Sequence, residues 1–414
     1  MREARRKEVV KQAFEGIKIA EFAWLAAGPF IIKYFSDHGA TVIKIESSTR
    51  PDTLRQTPPF QENKPGINRS GWFAKYNTNK YGISLNLSHP KARPIVEKLV
   101  RWADIVIESF TPGVIKRWNL GYEEMAKIKP DIIMMSTSAQ GQTGPRAQQP
   151  SYGVQLTSLA GFVHLTNWPD RGPAMVYGAY TDFIAPYFGT AALVAALDYR
   201  RRTGKGQYID LSQYECAVHF LAPLILDYGV NQRVHHRMGN RSPYAAPHGV
   251  YRCLGEDSWC AIAVFTDEEW EAFCRVLSNP DWTKDQKFQT FSARKENEDE
   301  LDQFIEEWTK KLSAEEVMRW MQEAGVPAGV VRNNEGVYGD PQLNARQHFW
   351  KLEHSEMGLH SVESLPFKLS KTPSELKQAA PCLGQDNYYV YTEILGLSDE
   401  EFIQLSGEGV FNER

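Results

Sequence analysis

The fold of this chain is decided by residues 17–46, which have the sequence IKIAEF-AWLAAG-PFIIKYFSDH-GA-TVIKIE. The two ends, Ile17–Phe22 and Thr41–Glu46, are short and rich in isoleucine, valine and threonine, as strands are. Between them, Pro29–His38 begins at a proline and stops before Gly39, which is typical of a helix. The stretch therefore predicts a strand–helix–strand crossover, and with it a parallel sheet.

The same alternation continues through the first half of the chain. Further strands are predicted at Gly82–Leu87, Asp104–Phe110, Ile132–Thr137 and Tyr208–Leu211. Further helices are predicted at His89–Ala103, Tyr122–Lys129 and Phe183–Arg202. The pattern predicts a doubly wound α/β fold, in which ligands bind at the carboxyl ends of the strands. The loops at that edge are Ala23–Gly28, Glu46–Arg55, Phe110–Arg117 and Ser136–Gly144.

The pattern changes after about Asp227, which indicates a second, smaller domain. A hairpin is predicted at Val250–Val264, followed by helices at Thr266–Leu277 and Glu298–Ala324. After about residue 341 the chain returns to short strands. Its last helix opens on the capping box Ser398-Asp-Glu-Glu401.

Composition excludes several classes of protein. The chain has 414 residues and a net charge of −4, which favours neither nucleic acid nor an anionic membrane as a partner. Its five cysteines form no C-x-x-C pair and its ten histidines no H-E-x-x-H pattern, so we expect no disulfide framework and no metal site. No apolar run approaches the roughly 20 residues that span a bilayer. The amino terminus, MREARRKEVVKQ, lacks the apolar core of a secretory signal. These features predict a cytoplasmic protein with reduced thiols.

Motifs for nucleotide cofactors are missing or incomplete. The first strand-to-helix loop, Ala26–Pro29, lacks the G-x-G-x-x-G spacing, so binding of nicotinamide or flavin is not supported. Gly204-Lys-Gly206 lacks the spacing of a phosphate loop and is interpreted as a turn. The turn Gln140–Pro145 is either only a turn or a source of backbone N–H groups for a bound carbonyl. Lys116 and Arg117 are either surface charges or a phosphate clamp.

Asp182 is the candidate catalytic residue. It lies where the helix Phe183–Arg202 is predicted to begin, and aspartate is a common helix cap. The partial positive charge of the first turn should keep its carboxylate ionised. A fixed, ionised carboxylate can attack an acyl carbon. Both interpretations, cap and nucleophile, fit this position.

These pieces occur in the order found in one known family. The chain resembles the family III CoA-transferases, the CaiB/BaiF group, over about residues 16–411. The matching segments are Glu21–Pro29, Gly39–Glu46, Tyr76–Lys80, Asp104–Gly113, Thr203–Asp210, Ala324–Gly329, Asp340–Leu343 and Leu383–Gln385. Their shared order and spacing carry the resemblance.

The resemblance implies a fold and an assembly. It implies a large domain built from both chain ends, with a small α+β domain inserted, and two subunits threaded as an interlocked dimer. On this basis the chain divides into an extension (1–15), the large domain's first part (16–227), a linker (228–249), the small domain (250–330), a linker (331–349) and the large domain's last part (350–414). The partner is expected to be a second copy or a related chain.

The resemblance also implies a chemistry. Asp182 would attack a donor acyl-CoA, and an anhydride and then an aspartyl-CoA thioester would pass the CoA to an acceptor acid. No permanently bound cofactor is expected, since CoA is itself part of the substrates. The expected CoA contacts are Leu25, Ala26, Ala27, Leu85, Ser109, Phe110 and Arg117. The expected substrate pocket includes Tyr152, Gly153 and Gln140.

The chain departs from two branches of the family. The branch resembling formyl-CoA transferase has glutamine at the position of Ala26 and arginine at that of Ser47, and Arg50 or Arg55 is the expected substitute for that arginine. The loss of a polar group favours a larger, partly apolar acceptor acid. The racemase branch uses a histidine where this chain has Tyr152. A racemase or isomerase, and a non-catalytic CoA-binding subunit, stay as alternatives to the transferase.

Overall fold

The structure, a computed structural model, describes residues 12–411 and is centred on a six-stranded parallel sheet. Its spatial order is β3-β2-β1-β4-β5-β6, and all five pairings are parallel. The strands are β1 Lys18–Phe22, β2 Thr41–Glu46, β3 Lys80–Ser84, β4 Ile105–Glu108, β5 Ile133–Ser138 and β6 Gln207–Ser212. This order reverses between β1 and β4, which is where doubly wound sheets open a crevice for ligands. The predicted parallel α/β fold is confirmed.

Some of the helices cover the two faces of the sheet, and others belong to a separate unit that is described below. The helices are α1 Ala27–Ser36, α2 Gly71–Tyr76, α3 Ala92–Trp102, α4 Val114–Arg117, α5 Tyr122–Ile128, α6 Gly153–Leu159, α7 Phe162–Leu165, α8 Tyr180–Thr203, α9 Gln213–Phe220, α10 Ala222–Asn231, α11 Asp267–Val276, α12 Gln286–Gln289, α13 Phe291–Glu296, α14 Glu298–Thr309, α15 Ala314–Glu323, α16 Asn334–Tyr338, α17 Pro341–Ala345, α18 Asn387–Tyr389 and α19 Asp399–Gly407. One core contains Leu99 of α3 and Met125 of α5. The other contains Ile31 of α1 and Leu193 of α8. Because successive residues of a strand point to opposite faces, β5 supplies Met134 to the first core and Met135 to the second.

Several predicted elements have different bounds in the structure, and three of these differences bear on packing or capping. β3 begins at Lys80 rather than Gly82, because Lys80 and Tyr81 already pair with β2, and the Lys80 amine is buried and paired with Glu21 at 2.8 Å. The predicted helix Glu298–Ala324 is two helices. The second, α15, begins after Ser313, whose side chain accepts from the Glu316 amide in a capping box. Helix α8 begins at Tyr180, three residues earlier than predicted.

The chain divides into two compact units. The first comprises residues 1–162, 175–232 and 342–414, and the second residues 163–174 and 233–341, where the described part starts at residue 12. The second unit contains a three-stranded antiparallel sheet of β7 His248–Arg252, β8 Trp259–Ala263 and β9 Ala328–Val330. The predicted extension 1–15 falls mostly on residues outside the described range.

The carboxyl-terminal segment belongs to the first unit. It forms the antiparallel hairpin of β10 Phe349–His354 and β11 Gly358–Glu363. Helix α19 opens on the predicted capping box, in which Ser398 accepts from the Glu401 amide and Glu401 accepts from the Ser398 amide. None of the helices between residues 12 and 411 is long and apolar enough to cross a membrane.

Candidate active site

A cavity of about 430 Å³ opens at the carboxyl edge of the sheet, and we call it the nucleophile cavity after Asp182, the candidate nucleophile that lines it. Its walls come from the loops after β1, β4 and β5 and from the first turns of α1, α6 and α8. Of the predicted site residues, it is lined by Leu25, Ala26, Ala27, Ser109, Phe110, Tyr152, Gly153 and Asp182. The fold thus brings together residues that lie up to 157 positions apart, from 25 to 182.

Asp182 is the third residue of α8 and does not cap that helix. The cap position is Ala179, and no side chain caps the helix there. Within residues 12–411, no hydrogen bond or ion pair reaches the Asp182 carboxylate. Burial raises the pKa of this carboxyl from 3.8 to about 6. Desolvation therefore outweighs the helix dipole in setting this pKa, although a carboxyl group with a pKa of about 6 is still mostly ionised at neutral pH.

Gly153 makes room for the carboxylate. A Cβ atom placed on Gly153 would lie 2.9 Å from Oδ2 of Asp182 and 2.5 Å from Cβ of Ala179. Any larger residue at position 153 would therefore displace the start of α8. Gly153 is itself held by its carbonyl, which accepts hydrogen bonds from Thr157 at 2.6 Å and Thr181 at 3.3 Å.

The loop after β1 forms the opposite part of the lining. Trp24 and Leu25 lie between the end of β1 and the start of α1, and Trp24 contacts Phe110 edge-on at 5.3 Å between ring centres. The Ser109 hydroxyl accepts from the Trp24 amide at 2.9 Å and donates to the Trp24 carbonyl at 3.0 Å. Ser109 therefore fixes the loop as well as lining the cavity.

A second cavity of about 560 Å³ shares Trp24, Phe110 and Thr111 with the first. It contains Leu85, which the sequence placed among the CoA contacts. Its polar lining consists of Glu46, Ser47, Thr49, Arg50, Asn86, Ser88 and Thr111. Among the described residues, Arg50 is the one basic residue that lines either cavity.

Arg55 is not available as the alternative to Arg50. Its guanidinium is fully buried, pairs with Glu46 at 2.7 Å and stacks on Phe73 at 3.6 Å from the ring centre. The pairing holds the pKa of Glu46 below its usual range, although burial opposes it. Arg55 therefore serves the interior of the fold.

Two other predicted residues lie outside the linings. Arg117 is exposed at the end of α4, and its neighbours Val114 and Trp118 line the second cavity in its place. The Gln140 side chain is turned to Ser151, to whose hydroxyl it donates at 3.4 Å. Ser151 lines the nucleophile cavity, so Gln140 supports that wall from behind.

Sequence reasoning missed several polar lining residues. Thr137 and Ser138 end β5, line the nucleophile cavity and have buried hydroxyls without a partner among the described residues. Gln149 and Gln213 also line it. The position of Thr137 at a predicted strand end was the available indication. No group of three histidine, cysteine or acidic side chains within residues 12–411 is arranged to hold a metal ion.

The sequence matches the family model for CoA-transferase family III over residues 14–387. The chain belongs to this family. It is 30% identical over 396 residues to succinyl-CoA–D-citramalate CoA-transferase of Chloroflexus aurantiacus, covering 96% of this chain and 97% of that protein. It is 28% identical to the succinyl-CoA–L-malate CoA-transferase beta subunit of the same organism, covering 95% and 97%.

A solved structure leads to the same family. The crystal structure of a CaiB/BaiF family protein from Brucella suis matches with a TM-score of 0.85 and 30% identity, covering 93% of this chain and all of that one. The prediction of a family III CoA-transferase is confirmed at this level. The roles of individual residues stay predictions.

Proposed function

We propose that this chain moves CoA from a donor such as succinyl-CoA to a medium-sized, partly apolar carboxylic acid through covalent intermediates on Asp182. The observation that carries the proposal is the position of Asp182. Within the described chain it is the one charged residue that lines the nucleophile cavity. Relatives named for succinyl-CoA support the choice of donor.

The proposed reaction consists of four nucleophilic attacks in sequence. The Asp182 carboxylate attacks the thioester carbonyl, which forms a mixed anhydride and releases CoA thiolate. The thiolate attacks the aspartyl carbonyl, which gives an aspartyl-CoA thioester and the free donor acid. The acceptor carboxylate attacks that thioester, which forms a second anhydride and frees the thiolate again. The thiolate then attacks the acceptor's acyl carbon, so acceptor acyl-CoA forms and Asp182 is restored.

The two adjoining cavities suit an elongated acyl-CoA. The thioester would lie beside Asp182, and the rest of the CoA would pass the shared residues Trp24 and Phe110 into the second cavity. There Arg50 would neutralise a phosphate, which Arg117 was expected to do. Leu25, Ala26 and Ala27 would contact the CoA at the start of α1.

The residues that line the nucleophile cavity also indicate which class of acceptor acid it suits. Trp24, Trp72 and Phe110 provide apolar surface, and no basic residue of the described chain lines this cavity to pair with a second carboxylate. This supports an acceptor with one carboxylate and an apolar remainder. The second candidate is a hydroxy dicarboxylic acid, since the relatives' names specify D-citramalate and L-malate. The hydroxyls of Thr137 and Ser138 are suited to such an acid.

The other two functions have less support. A racemase needs an acid–base pair on both sides of the α-carbon, and Tyr152 stands where that branch has histidine. A non-catalytic subunit would not need a carboxylate in this cavity. The beta-subunit name of one relative keeps a related partner chain open as the second subunit.

The assembly is proposed to be an interlocked dimer with the second unit as its inserted domain. Helix α10 supports an oligomer, because none of its residues is buried by the described part of the chain. Its Ile225, Leu226 and Val230 are 48%, 65% and 80% exposed. Large exposed apolar patches of this kind mark protein interfaces. Sedimentation of the chain alone, and with a related chain, distinguishes a homodimer from a heteromer.

The experiment is mass spectrometry of the intact protein after incubation with succinyl-CoA and trapping with hydroxylamine. Adduct formation on Asp182 is expected, absent in Asp182→Asn and retained in the matched control Asp198→Asn on the same helix. An unmodified chain that exchanges the α-proton of an acyl-CoA would instead identify an isomerase. An unmodified chain that becomes labelled only with a partner would identify a subunit.

The class of the acceptor acid is then determined by comparing how fast two similar acids discharge the labelled enzyme. Citramalate and 2-hydroxy-2-methylbutyrate differ mainly by the second carboxylate. Faster discharge of the labelled enzyme by the monocarboxylate supports the partly apolar acceptor. Faster discharge by citramalate overturns that part of the proposal in favour of the dicarboxylate.

A further inference from the structure

The loop between β1 and α1 has an unfavourable backbone conformation at Leu25. This residue has a φ of 65°, which lies in the left-handed region of backbone conformation that residues other than glycine rarely adopt. The residue is 41% exposed, so packing of its side chain holds it only in part. Such a conformation persists only where surrounding contacts impose it.

Two buried charged side chains supply those contacts. The Leu25 amide donates to Oδ1 of Asp52 at 2.9 Å. Oδ2 of Asp52 pairs with the Lys44 amine at 2.9 Å, and that amine donates to the Ala23 carbonyl at 3.0 Å. The two side chains therefore form a closed bridge from one end of the loop to the other, which we call the Asp52–Lys44 clamp.

The clamp is built into the interior. Both side chains are fully buried, and Asp52 also accepts from the Leu54 amide at 3.0 Å. Its own amide donates to Glu46 at 3.0 Å. A buried ion pair is a poor source of stability, because desolvation offsets the attraction between the charges. It does, however, impose a single arrangement on the groups that it bonds.

We propose that Asp52 and Lys44 are positioning residues for the active site. The clamp holds Leu25 in its left-handed conformation and so sets the place of Ala26 and Ala27, where α1 begins. The first-turn N–H groups of a helix lack intrahelical partners and are free to bind a ligand oxygen. The inference rests on the proposed function, since it assigns this wall of the nucleophile cavity to the acyl-CoA.

The test uses Asp52→Asn in the full-length chain. The amide has the same shape, but it turns an N–H₂ donor toward the Lys44 amine, so the clamp opens. Asp182 labelling by succinyl-CoA needs no acceptor and yields a half-saturating concentration and a limiting rate. We expect the half-saturating concentration to rise about tenfold and the limiting rate to change less than threefold, since misplaced contacts weaken binding. An unchanged half-saturating concentration in folded protein overturns the proposal.

Asp37→Asn is the matched control for general destabilisation. Asp37 also forms a buried pair with a lysine, Lys33, at 2.6 Å, but neither residue lines either of the two cavities. This variant should lose comparable thermal stability and keep the half-saturating concentration within twofold. An equal increase in both variants would mean that the Asp52 effect is only loss of stability.

A double-mutant cycle isolates the backbone effect. Glycine at position 25 adopts a positive φ without strain. Alanine at position 25 also removes most of the leucine side chain, but it keeps the strain of a positive φ. The Asp52→Asn effect should fall below threefold in Leu25→Gly and stay near tenfold in Leu25→Ala. Equal effects in both backgrounds contradict the clamp.

Calorimetric titration with CoA itself separates this proposal from the proposed function. A chain that binds CoA without being labelled at Asp182 overturns the transferase chemistry, and the same variants then test the clamp through CoA affinity. A chain that neither binds CoA nor becomes labelled overturns both.

Discussion

Replacing Asp182 by asparagine is expected to stabilise the folded protein at neutral pH while it abolishes labelling by succinyl-CoA. The carboxyl is held in a cavity where no cation or hydrogen-bond donor of the described chain compensates its charge, and its pKa rises from 3.8 to about 6. One pKa unit corresponds to about 1.4 kcal/mol, so the full cost of ionising Asp182 is about 3 kcal/mol. Asparagine does not ionise and avoids this cost.

The stability difference between the wild-type chain and Asp182→Asn should depend on pH, in a direction that follows from the raised pKa of Asp182. Because the folded-state pKa is the higher one, the native protein holds this proton more tightly than the unfolded chain does. Both states are protonated well below pH 3.8, where the two variants should be equally stable. The wild-type chain then loses stability, relative to the variant, as the pH rises through 6. Linkage predicts a difference of about 1 kcal/mol near pH 4.5 and about 3 kcal/mol near pH 8.

Urea denaturation followed by circular dichroism at several pH values measures this difference. The control is Asp198→Asn, whose carboxylate lies further along α8 and is hydrogen-bonded to Arg201 and Arg202, which lower its pKa. Its pH trend should have the opposite sign. A stability difference for Asp182→Asn that does not depend on pH would refute the assigned pKa. A less stable asparagine variant at pH 8 would refute the burial argument itself.

Three further predictions concern the same site. The rate of Asp182 labelling should rise with pH through about 6, because the carboxylate is the attacking form. Burial also raises the pKa of Glu108, to about 7, but Glu108→Gln should leave the rise of the labelling rate near pH 6 unchanged. Gly153→Ala should lower the labelling rate at least tenfold, since the new methyl group would lie 2.9 Å from the Asp182 carboxylate. An unchanged rate would show that the surrounding residues move to accommodate the methyl group. Thr181→Val should lower the limiting rate severalfold with little change in half-saturation, because the 3.3 Å hydrogen bond to the Gly153 carbonyl is lost, whereas Thr181→Ser should restore it. The matched control is Thr190→Val on the same helix, whose hydroxyl has no partner among the described residues, so a loss there as large as for Thr181→Val would count against a specific role.

Most of the sheet could be predicted from local sequence. Thr41–Glu46 was placed residue for residue, because a short apolar run rich in β-branched residues suits only a buried strand in this context. The bounds of other elements differ from those predicted, as in β3, which begins at Lys80, whose amine is buried. Local sequence could not show that this amine would find Glu21, which lies 59 positions away.

The site was predicted less completely, for a similar reason. Residues that follow strands were expected at one edge, and Leu25, Ser109 and Phe110 do meet there. A position in sequence does not specify the direction of a long side chain, and neither Arg117 nor Arg55 lines either cavity in the structure. Arg50, which was only an alternative, is the basic residue that lines a cavity.

The sequence by itself determined the alternation of strands and helices, the family and the identity of the candidate nucleophile, since these depend on the order of residues along the chain. Only the tertiary structure decided the state of that nucleophile. Asp182 is desolvated by burial, and Gly153, 29 positions earlier, lies so close that a Cβ there would be 2.9 Å from the carboxylate. The left-handed Leu25 is likewise held by Asp52 and Lys44 from other segments. Burial and electrostatic pairing are properties of residues brought together in space, and the chain order alone does not contain them.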